Sequence, residues 1–457
     1  MTHVSPEVFK AYDIRGVYGR DLDATSARQI GRAFARVLAN LEGKPVSDLR
    51  VGLGRDMRLT ALEMADAYAA GIAQEGATVL DAGQVGTEML YFLVGSRDLD
   101  GGLMCTASHN PKAYTGAKLV RRNAVALSGQ EGIGDVRKLV LDGMDDAHAV
   151  PGSIQPIDIY PDFRQAVRKL VDLSAIRGLK VVVDGGNGMA GPMVGPLLDG
   201  LDVQLEKCYW APNGEFPGHE PNPLLPENRE FIIGEVVRTG ADLGIAWDGD
   251  ADRCFFIDDQ GGFVDGDFLT ALLSASMLRR FPGEKVLYDV RASRAVPDTI
   301  TAAGGIPLIN RVGHAYFKSR MRNEGGVFGG EVSGHYYFRD FYCADSGTLP
   351  ALLILEELAR SGAKLSQLLA PIRSRYFISG EINSEVSDPQ AKMEHITASY
   401  PDARQTHLDG ISIDYDDWHF NVRPSNTEPL LRLCLESLVS HQDMEARRDE
   451  VLALIRS

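Results

Sequence analysis

Ser108 stands in a polar stretch, Thr106-Ala-Ser-His-Asn-Pro111, directly after the apolar run Gly101-Gly-Leu-Met-Cys105. Far downstream, Trp247-Asp-Gly-Asp-Ala-Asp-Arg253 sets Asp248, Asp250 and Asp252 at alternate positions beside Arg253. Alternation around Gly249 can turn three carboxylates toward one point. Packed carboxylates repel one another, so the cluster calls for a cation. Hard oxygen ligands of this kind suit Mg²⁺, which keeps positions open for a phosphate oxygen. An EF-hand is excluded: its loop of about a dozen residues wants glycine sixth and glutamate twelfth. Here those positions hold Arg253 and Asp259. A serine is a poor nucleophile unless a base or metal lies beside it. Ser108 with His109 on one loop and the carboxylates on another therefore describe a phosphoryl-transfer centre.

Two further constellations carry donors. Gly330-Glu-Val-Ser-Gly-His335 joins Glu331, Ser333 and His335 between glycines. Glu331 and Ser333 are two apart, so in an extended loop they point the same way and can grip neighbouring sugar hydroxyls. Arg423-Pro-Ser-Asn-Thr427 offers a guanidinium, Ser425, Asn426 and Thr427 after a strand-like run, the donor density a phosphate monoester needs. It is not a P-loop, because the chain has no G-x-x-x-x-G-K-[ST]. Arg15, in Lys10-Ala-Tyr-Asp-Ile-Arg-Gly16, and Lys118 after the serine loop are additional donors. His314 sits in Arg311-Val-Gly-His-Ala-Tyr316.

The elements that must position these groups alternate. Helical periodicity runs over 24–41 and 61–76. Short apolar strands are expected at 51–54, 77–81 and 101–105, and the serine loop leaves the last of them. The pattern restarts at 178–184 and 241–247, where the aspartate loop leaves the strand end, and again at 285–289, 305–309 and 326–330. Ligand loops in such sheets sit outside the carboxyl ends of strands. Residues 410–415 and 418–423 instead alternate in polarity like antiparallel strands, and a helix over 442–456 follows. The proline-rich segment 212–228 reads as a plain connection. The expected organisation is α/β: domain I over 1–152 with the serine loop, domain II over 153–258 with the metal loop, domain III over 259–370 with the sugar loop, and an α+β domain IV over 371–457 with the phosphate loop.

Bulk properties fit a globular protein acting on small anions. The 457 residues are 44 % hydrophobic and 24 % charged, with net charge −16. That charge argues against nucleic acid or an anionic membrane as partner, whereas local arginines can still dominate one cleft. Five scattered cysteines without a C-x-x-C pair suggest reduced thiols and a cytoplasmic location. No signal-peptide core and no apolar run of about 18–20 residues is present.

Taken together and in this order, these motifs resemble the α-D-phosphohexomutase superfamily, and its bacterial phosphomannomutase/phosphoglucomutase branch in particular. The resemblance spans essentially the whole chain. It implies four domains around a central cleft, three related α/β domains with mixed sheets and a C-terminal TBP-like α+β domain. It implies reversible conversion of hexose 1-phosphate and hexose 6-phosphate, with Mg²⁺ as cofactor and a hexose 1,6-bisphosphate as intermediate and activator. By the same resemblance Ser108 is the phosphoserine, and Asp248, Asp250 and Asp252 with the serine phosphate hold the metal. Lys118, His109, Arg15 and Arg253 serve the reacting phosphate, and His335 assists proton transfer. Glu331 and Ser333 read sugar hydroxyls, His314 lies in the cleft, and Arg423, Ser425, Asn426 and Thr427 hold the other phosphate. The sequence departs from the family's usual pattern at Thr115, Asn213 and Val332, in place of Asn, Asp and Met. Sugar phosphates are the expected partners of a monomer or small homo-oligomer. A phosphoglucosamine mutase and a Mg²⁺-dependent sugar phosphatase are the alternatives, and the former usually carries Gln at the Val332 position.

Overall fold

The computed structural model describes residues 4–128, 132–147, 150–425 and 430–457. Asn426 and Thr427 of the expected phosphate loop lie outside the described residues. The chain forms two compact units, Met1–Phe263 with Tyr337–Gly362, and Val264–Tyr336 with Ala363–Ser457.

The first unit holds two sheets. Strands β1 (Ile14–Val17), β2 (Arg50–Arg55), β3 (Thr78–Gln84), β4 (Gly101–Cys105), β5 (Tyr114–Arg121), β6 (Val125–Ala126) and β7 (Ile154–Pro156) form one of them. Their order is β1-β5-β4-β2-β3-β7, with β6 on β5. β2 runs parallel to β3 and β4, while β5 returns antiparallel beside β4. Helices cover both faces, so β4 is buried at every residue and reads as a continuous apolar run.

Helix α1 (Ala24–Glu42) shows how locally this is encoded. Asp23 accepts from Ser26 N, and Ser26 Oγ accepts from Asp23 N, a reciprocal cap. Ile30, Phe34 and Leu38 recur at helical spacing and are fully buried. Each contributes roughly 1.5–3 kcal/mol by leaving water. Gly43, at φ 62°, then ends the helix in the left-handed region.

In the second sheet β8 (Arg177–Asp184) lies between β9 (Asp202–Cys208) and β10 (Leu243–Trp247), parallel to both. β11 (Cys254–Asp258) pairs antiparallel with β10. The turn from β10 to β11 is the aspartate loop. Helix Thr348–Ser361 also belongs to this unit, anchored where Trp247 Nε1 donates to Gly347 O at 3.0 Å.

In the second unit, strand Lys285–Asp289 pairs in parallel with Ile306–Asn310 and Phe328–Gly330. An antiparallel sheet follows, ordered Phe377–Glu385, Leu430–Ser437, Trp418–Pro424, Ile411–Asp414, Arg404–Thr406. Helices Pro389–Ser399 and His441–Arg456 pack with it around Trp418, Phe420, Leu433 and Ile455. Mixed α/β sheets with a C-terminal antiparallel sheet match the expected class. No described helix is long and apolar enough to cross a membrane.

Candidate active site

The serine loop leaves β4 and closes at once into a tight turn, with Asn110 N donating to Ala107 O at 3.0 Å. Ser108 occupies the first central position at φ 49°, a conformation most side chains avoid. Thr106 Oγ1 accepts from Ser108 N at 2.8 Å. The facing loop accommodates the turn because position 249 is glycine: a Cβ there would stand 2.6 Å from Ser108 O.

The Ser108 hydroxyl is 2 % exposed. It donates to Asp248 Oδ2 at 2.9 Å and accepts from Arg253 Nη2 at 3.0 Å. Arg253 Nε and Nη2 also reach Asp248 Oδ2, and Nη2 donates to His109 Nδ1. Arginine cannot accept, so Nδ1 is unprotonated and any ring proton sits on Nε2. Burial, then the Arg253 and Arg15 charges, hold the His109 pKa well below its ordinary value. Arg15, on β1, pairs with Asp13 and donates to Asn110 Oδ1.

Asp248, Asp250 and Asp252 each present an oxygen within 4.8 Å of the others, all fully buried. Lys118, on β5, donates to Asp250 Oδ2 at 2.7 Å and to Asp252 Oδ2. Burial opposes the lysine charge, but Asp250 and Asp252 outweigh it and raise its pKa. Burial likewise opposes ionisation of Asp250, and Lys118 outweighs it, so that carboxyl is held below its usual range. Burial, reinforced by Asp250, raises Asp252 well above that range. The outer oxygens Asp250 Oδ1 and Asp252 Oδ1 are buried without a hydrogen-bond partner among the described residues. Orphaned carboxylate oxygens beside a third carboxylate fit a hard divalent cation.

The second unit carries the remaining groups. Glu331 and Ser333 do not lie in an extended loop: Gly334 N donates to Glu331 O at 3.0 Å and closes a turn. Both side chains nonetheless face the same atom, His335 Nδ1. Glu331 Oε1 accepts from Gly313 N at 2.8 Å, next to His314, and Oε2 lies 3.6 Å from His335 Nδ1. Ser333 Oγ meets His335 Nδ1 at 3.1 Å, and the His314 and His335 rings are 6.4 Å apart. Arg423 is buried at the end of strand Trp418–Pro424, and Ser425 N donates to Leu430 O. Burial, then the nearby Arg291 charge, lower the Arg423 pKa, and Glu381 and Asp409 offset part of this.

Several residues holding this framework were not singled out by the sequence. Thr87 donates through Oγ1 and N to Asp250 Oδ2 and O. Asp289 accepts from Val332 N at 2.9 Å and from Arg291 Nη2 at 2.8 Å, so it ties the Glu331–Ser333 turn to an arginine. Asp56 and Arg58 follow β2 beneath the serine loop. Each stands at or just past a strand end or at a helix start, the one signal that could have found them.

Family models match the chain in four consecutive stretches. They describe phosphoglucomutase/phosphomannomutase α/β/α domains I, II and III over residues 6–137, 161–262 and 265–376, and the C-terminal domain over 381–454. A phosphomannomutase of Salmonella montevideo is 40 % identical over 460 residues, covering 98 % of this chain and 99 % of that protein. A phosphohexose mutase of Xanthomonas campestris pv. campestris is 41 % identical over 450 residues, covering 98 % and 99 %. The crystal structure of a phosphoglucomutase/phosphomannomutase family protein from Burkholderia thailandensis superposes with a TM-score of 0.90 at 32 % identity, covering 99 % of this chain and 97 % of that one. With all four domain models present and such relatives matched from end to end, the chain belongs to the phosphoglucomutase/phosphomannomutase family, a family of mutase enzymes.

Proposed function

We propose that this protein interconverts the 1- and 6-phosphates of mannose and glucose through phosphorylated Ser108. The observation that carries the reading is the Ser108 hydroxyl held between Asp248 and Arg253 at the rim of a buried three-carboxylate cluster. Phosphoserine gives its phosphoryl group to the free hydroxyl of a hexose monophosphate. The Oγ–P bond breaks, the sugar O–P bond forms, and the sugar's hydroxyl proton is returned to Oγ. The resulting hexose 1,6-bisphosphate reorients and hands its other phosphate back to the serine. An added hexose 1,6-bisphosphate would activate the enzyme by charging Ser108.

Arg253 donates to the serine oxygen and so steadies charge as the bond breaks. Lys118 and Arg15 bring further positive charge to the same loop. The His109 ring, with Nδ1 3.4 Å from Oγ, lines the serine side, and His335 beside Glu331 is assigned to proton transfer on the sugar side. Asp248, Asp250 and Asp252 would hold Mg²⁺ together with the serine phosphate. When bound, the ion would draw charge from the phosphoryl oxygens. Glu331 and Ser333 are assigned to the sugar hydroxyls, with His314 beside them. Arg423 and Ser425, with Asn426 and Thr427, are assigned to the phosphate that does not react. Holding that phosphate fixed lets one centre serve both carbons. We keep the four-part division at 152, 258 and 370 as the assignment of these tasks to domains. The five free cysteines support a reducing, cytoplasmic setting.

The test is a coupled assay of mannose 1-phosphate and glucose 1-phosphate conversion to the 6-phosphates, with Mg²⁺ and a trace of glucose 1,6-bisphosphate, wild type beside Ser108→Ala. Serine-dependent isomerisation supports the mutase, and the two rates rank the sugars. Release of inorganic phosphate without isomerisation would replace this reading with a phosphatase. Turnover of glucosamine phosphate in preference to both sugars would move it to that branch.

A further inference from the structure

We propose that Arg58 is a positioning residue for phosphoryl transfer at Ser108, and that the proline-rich segment 212–222 exists to brace it. The inference rests on the phosphoserine reading above.

Arg58 is 4 % exposed, and among the described residues its two terminal nitrogens donate only to carbonyls of the serine loop and the start of β5. Nη2 donates to Ser108 O at 2.8 Å and Asn110 O at 2.6 Å. Nη1 donates to Pro111 O at 2.9 Å and Tyr114 O at 3.2 Å. One planar fork thus uses all four terminal N–H groups on four carbonyls of one short loop. Lysine, a point charge with three donors, cannot reproduce that pattern. Asp56 completes the grip from the other side of the same residue. Its Oδ2 accepts from Thr106 Oγ1 at 2.7 Å and pairs with Arg58 Nε at 3.3 Å, and Thr106 Oγ1 in turn accepts from Ser108 N. Ser108 is therefore fixed through its N–H and its C=O by one Asp–Arg pair. That explains how a non-glycine residue stays at φ 49°. Strain of this kind persists only where the surroundings over-determine it, and it sets where Oγ points.

The proline-rich segment, expected as a plain connection, packs on this pair. Phe216 lays its ring on the Arg58 guanidinium, 5.5 Å from centroid to carbon, and does so from φ 47°, itself unfavourable for a bulky residue. Gly214 lies flat on the backbone around Arg58: a Cβ there would meet Met57 O and Leu59 N at 2.7 Å. Pro221 reaches the metal loop, 3.3 Å from where a Gly249 Cβ would stand. One segment thus touches both the arginine that grips the serine loop and the aspartate loop that faces it.

The experiment charges each protein with glucose 1,6-bisphosphate, confirms phosphate on Ser108 by mass spectrometry, and measures single-turnover transfer to glucose 1-phosphate. Wild type is compared with Arg58→Lys and Phe216→Leu, with steady-state kcat and KM measured alongside. Arg58→Lys is expected to slow transfer about 10- to 100-fold and Phe216→Leu about 3- to 10-fold, with KM within about twofold of wild type. A merely structural role would lower the folded fraction without changing the rate constant per phosphorylated molecule. Should Arg58→Lys fail to fold, Phe216→Leu, which exchanges one apolar side chain for another, decides alone. Wild-type transfer rates in a phosphorylated Phe216→Leu, or a rise in KM with transfer unchanged, overturn the proposal. Wild type that takes no phosphate on Ser108 overturns the phosphoserine reading itself, and this inference with it.

Discussion

Ser108 Oγ and Asp248 Oδ2 stand 2.9 Å apart although 140 positions separate them in the chain. The contact joins two loops from two different sheets, one leaving β4 and the other leaving β10. Ser108→Ala removes the oxygen that would carry phosphate. The expected result is loss of mutase turnover by at least about a thousandfold, with the fold intact because a methyl group fills most of the space. Retention of isomerisation in the coupled assay would remove Ser108 from the mechanism.

Gly249 governs how closely those loops approach. A methyl group at 249 would press to 2.6 Å from Ser108 O, a backbone atom held by Arg58, so neither side yields cheaply. Gly249→Ala is expected to cost about 1–3 kcal/mol of stability and to lower kcat about a hundredfold. Thermal unfolding and steady-state kinetics on the same preparation check both, and a variant with wild-type kcat would show that the approach is unimportant.

Lys118 neutralises Asp250 and Asp252 in a water-poor site, side-chain exposure 10 % against 0 and 1 %. Lys118→Met leaves those carboxylates facing one another with one fewer cation. Removing one partner of such a buried pair costs about 3–5 kcal/mol. Dependence on Mg²⁺ should sharpen accordingly: added Mg²⁺ is expected to raise the melting temperature of the variant more than that of wild type. An equal shift in both proteins would argue that Lys118 and the cation do not share these carboxylates.

Metal removal tests the orphaned oxygens directly. Chelation by EDTA is expected to abolish turnover and Mg²⁺ to restore it. Asp252→Asn, which replaces a buried carboxylate whose Oδ1 lacks a hydrogen-bond partner among the described residues, should move the Mg²⁺ midpoint of activity upward by at least about tenfold. An unchanged midpoint would place the ion elsewhere.

Glu88 gives the fold a pH signature. Burial pushes its carboxyl up to about 8, and hydrogen bonds from Ser346 and Thr348 offset only part of this. In the folded protein the group therefore stays protonated at neutral pH, whereas the unfolded chain ionises it near 4.5. The resulting stability is full below the unfolded value and is lost as pH rises from there through the folded value. Glu88→Gln keeps the shape without the proton. Its stability relative to wild type should improve between pH 5 and 8 by a few kcal/mol, about 2–4, as read by urea unfolding. Parallel pH profiles for the two proteins would contradict this.

Much of this arrangement is legible in the amino-acid sequence. Strand ends carry the chemistry because backbone direction alone dictates where loops leave a parallel sheet, and the apolar runs at 101–105 and 241–247 are unambiguous. The serine and aspartate loops stood out as candidates by composition, since three alternate carboxylates are costly without a cation. The turn at Glu331–Gly334 was not legible: alternation predicts extended backbone, and the Gly334 N to Glu331 O bond that breaks it depends on flanking strands.

Residue type and local spacing determined helices such as Ala24–Glu42 and strands such as Gly101–Cys105, and marked the candidate groups, because those depend on neighbours a few positions away. Tertiary structure alone decided which groups meet. Lys118 could have been any exposed lysine; antiparallel pairing of β5 with β4 is what turns it onto Asp250 and Asp252. Nothing local marks Arg58, which follows a strand end, and segment 212–228 reads as a plain connection. Only the closure of loops far apart in sequence brought four carbonyls and the Phe216 ring around one guanidinium, and no local propensity encodes a contact of that kind.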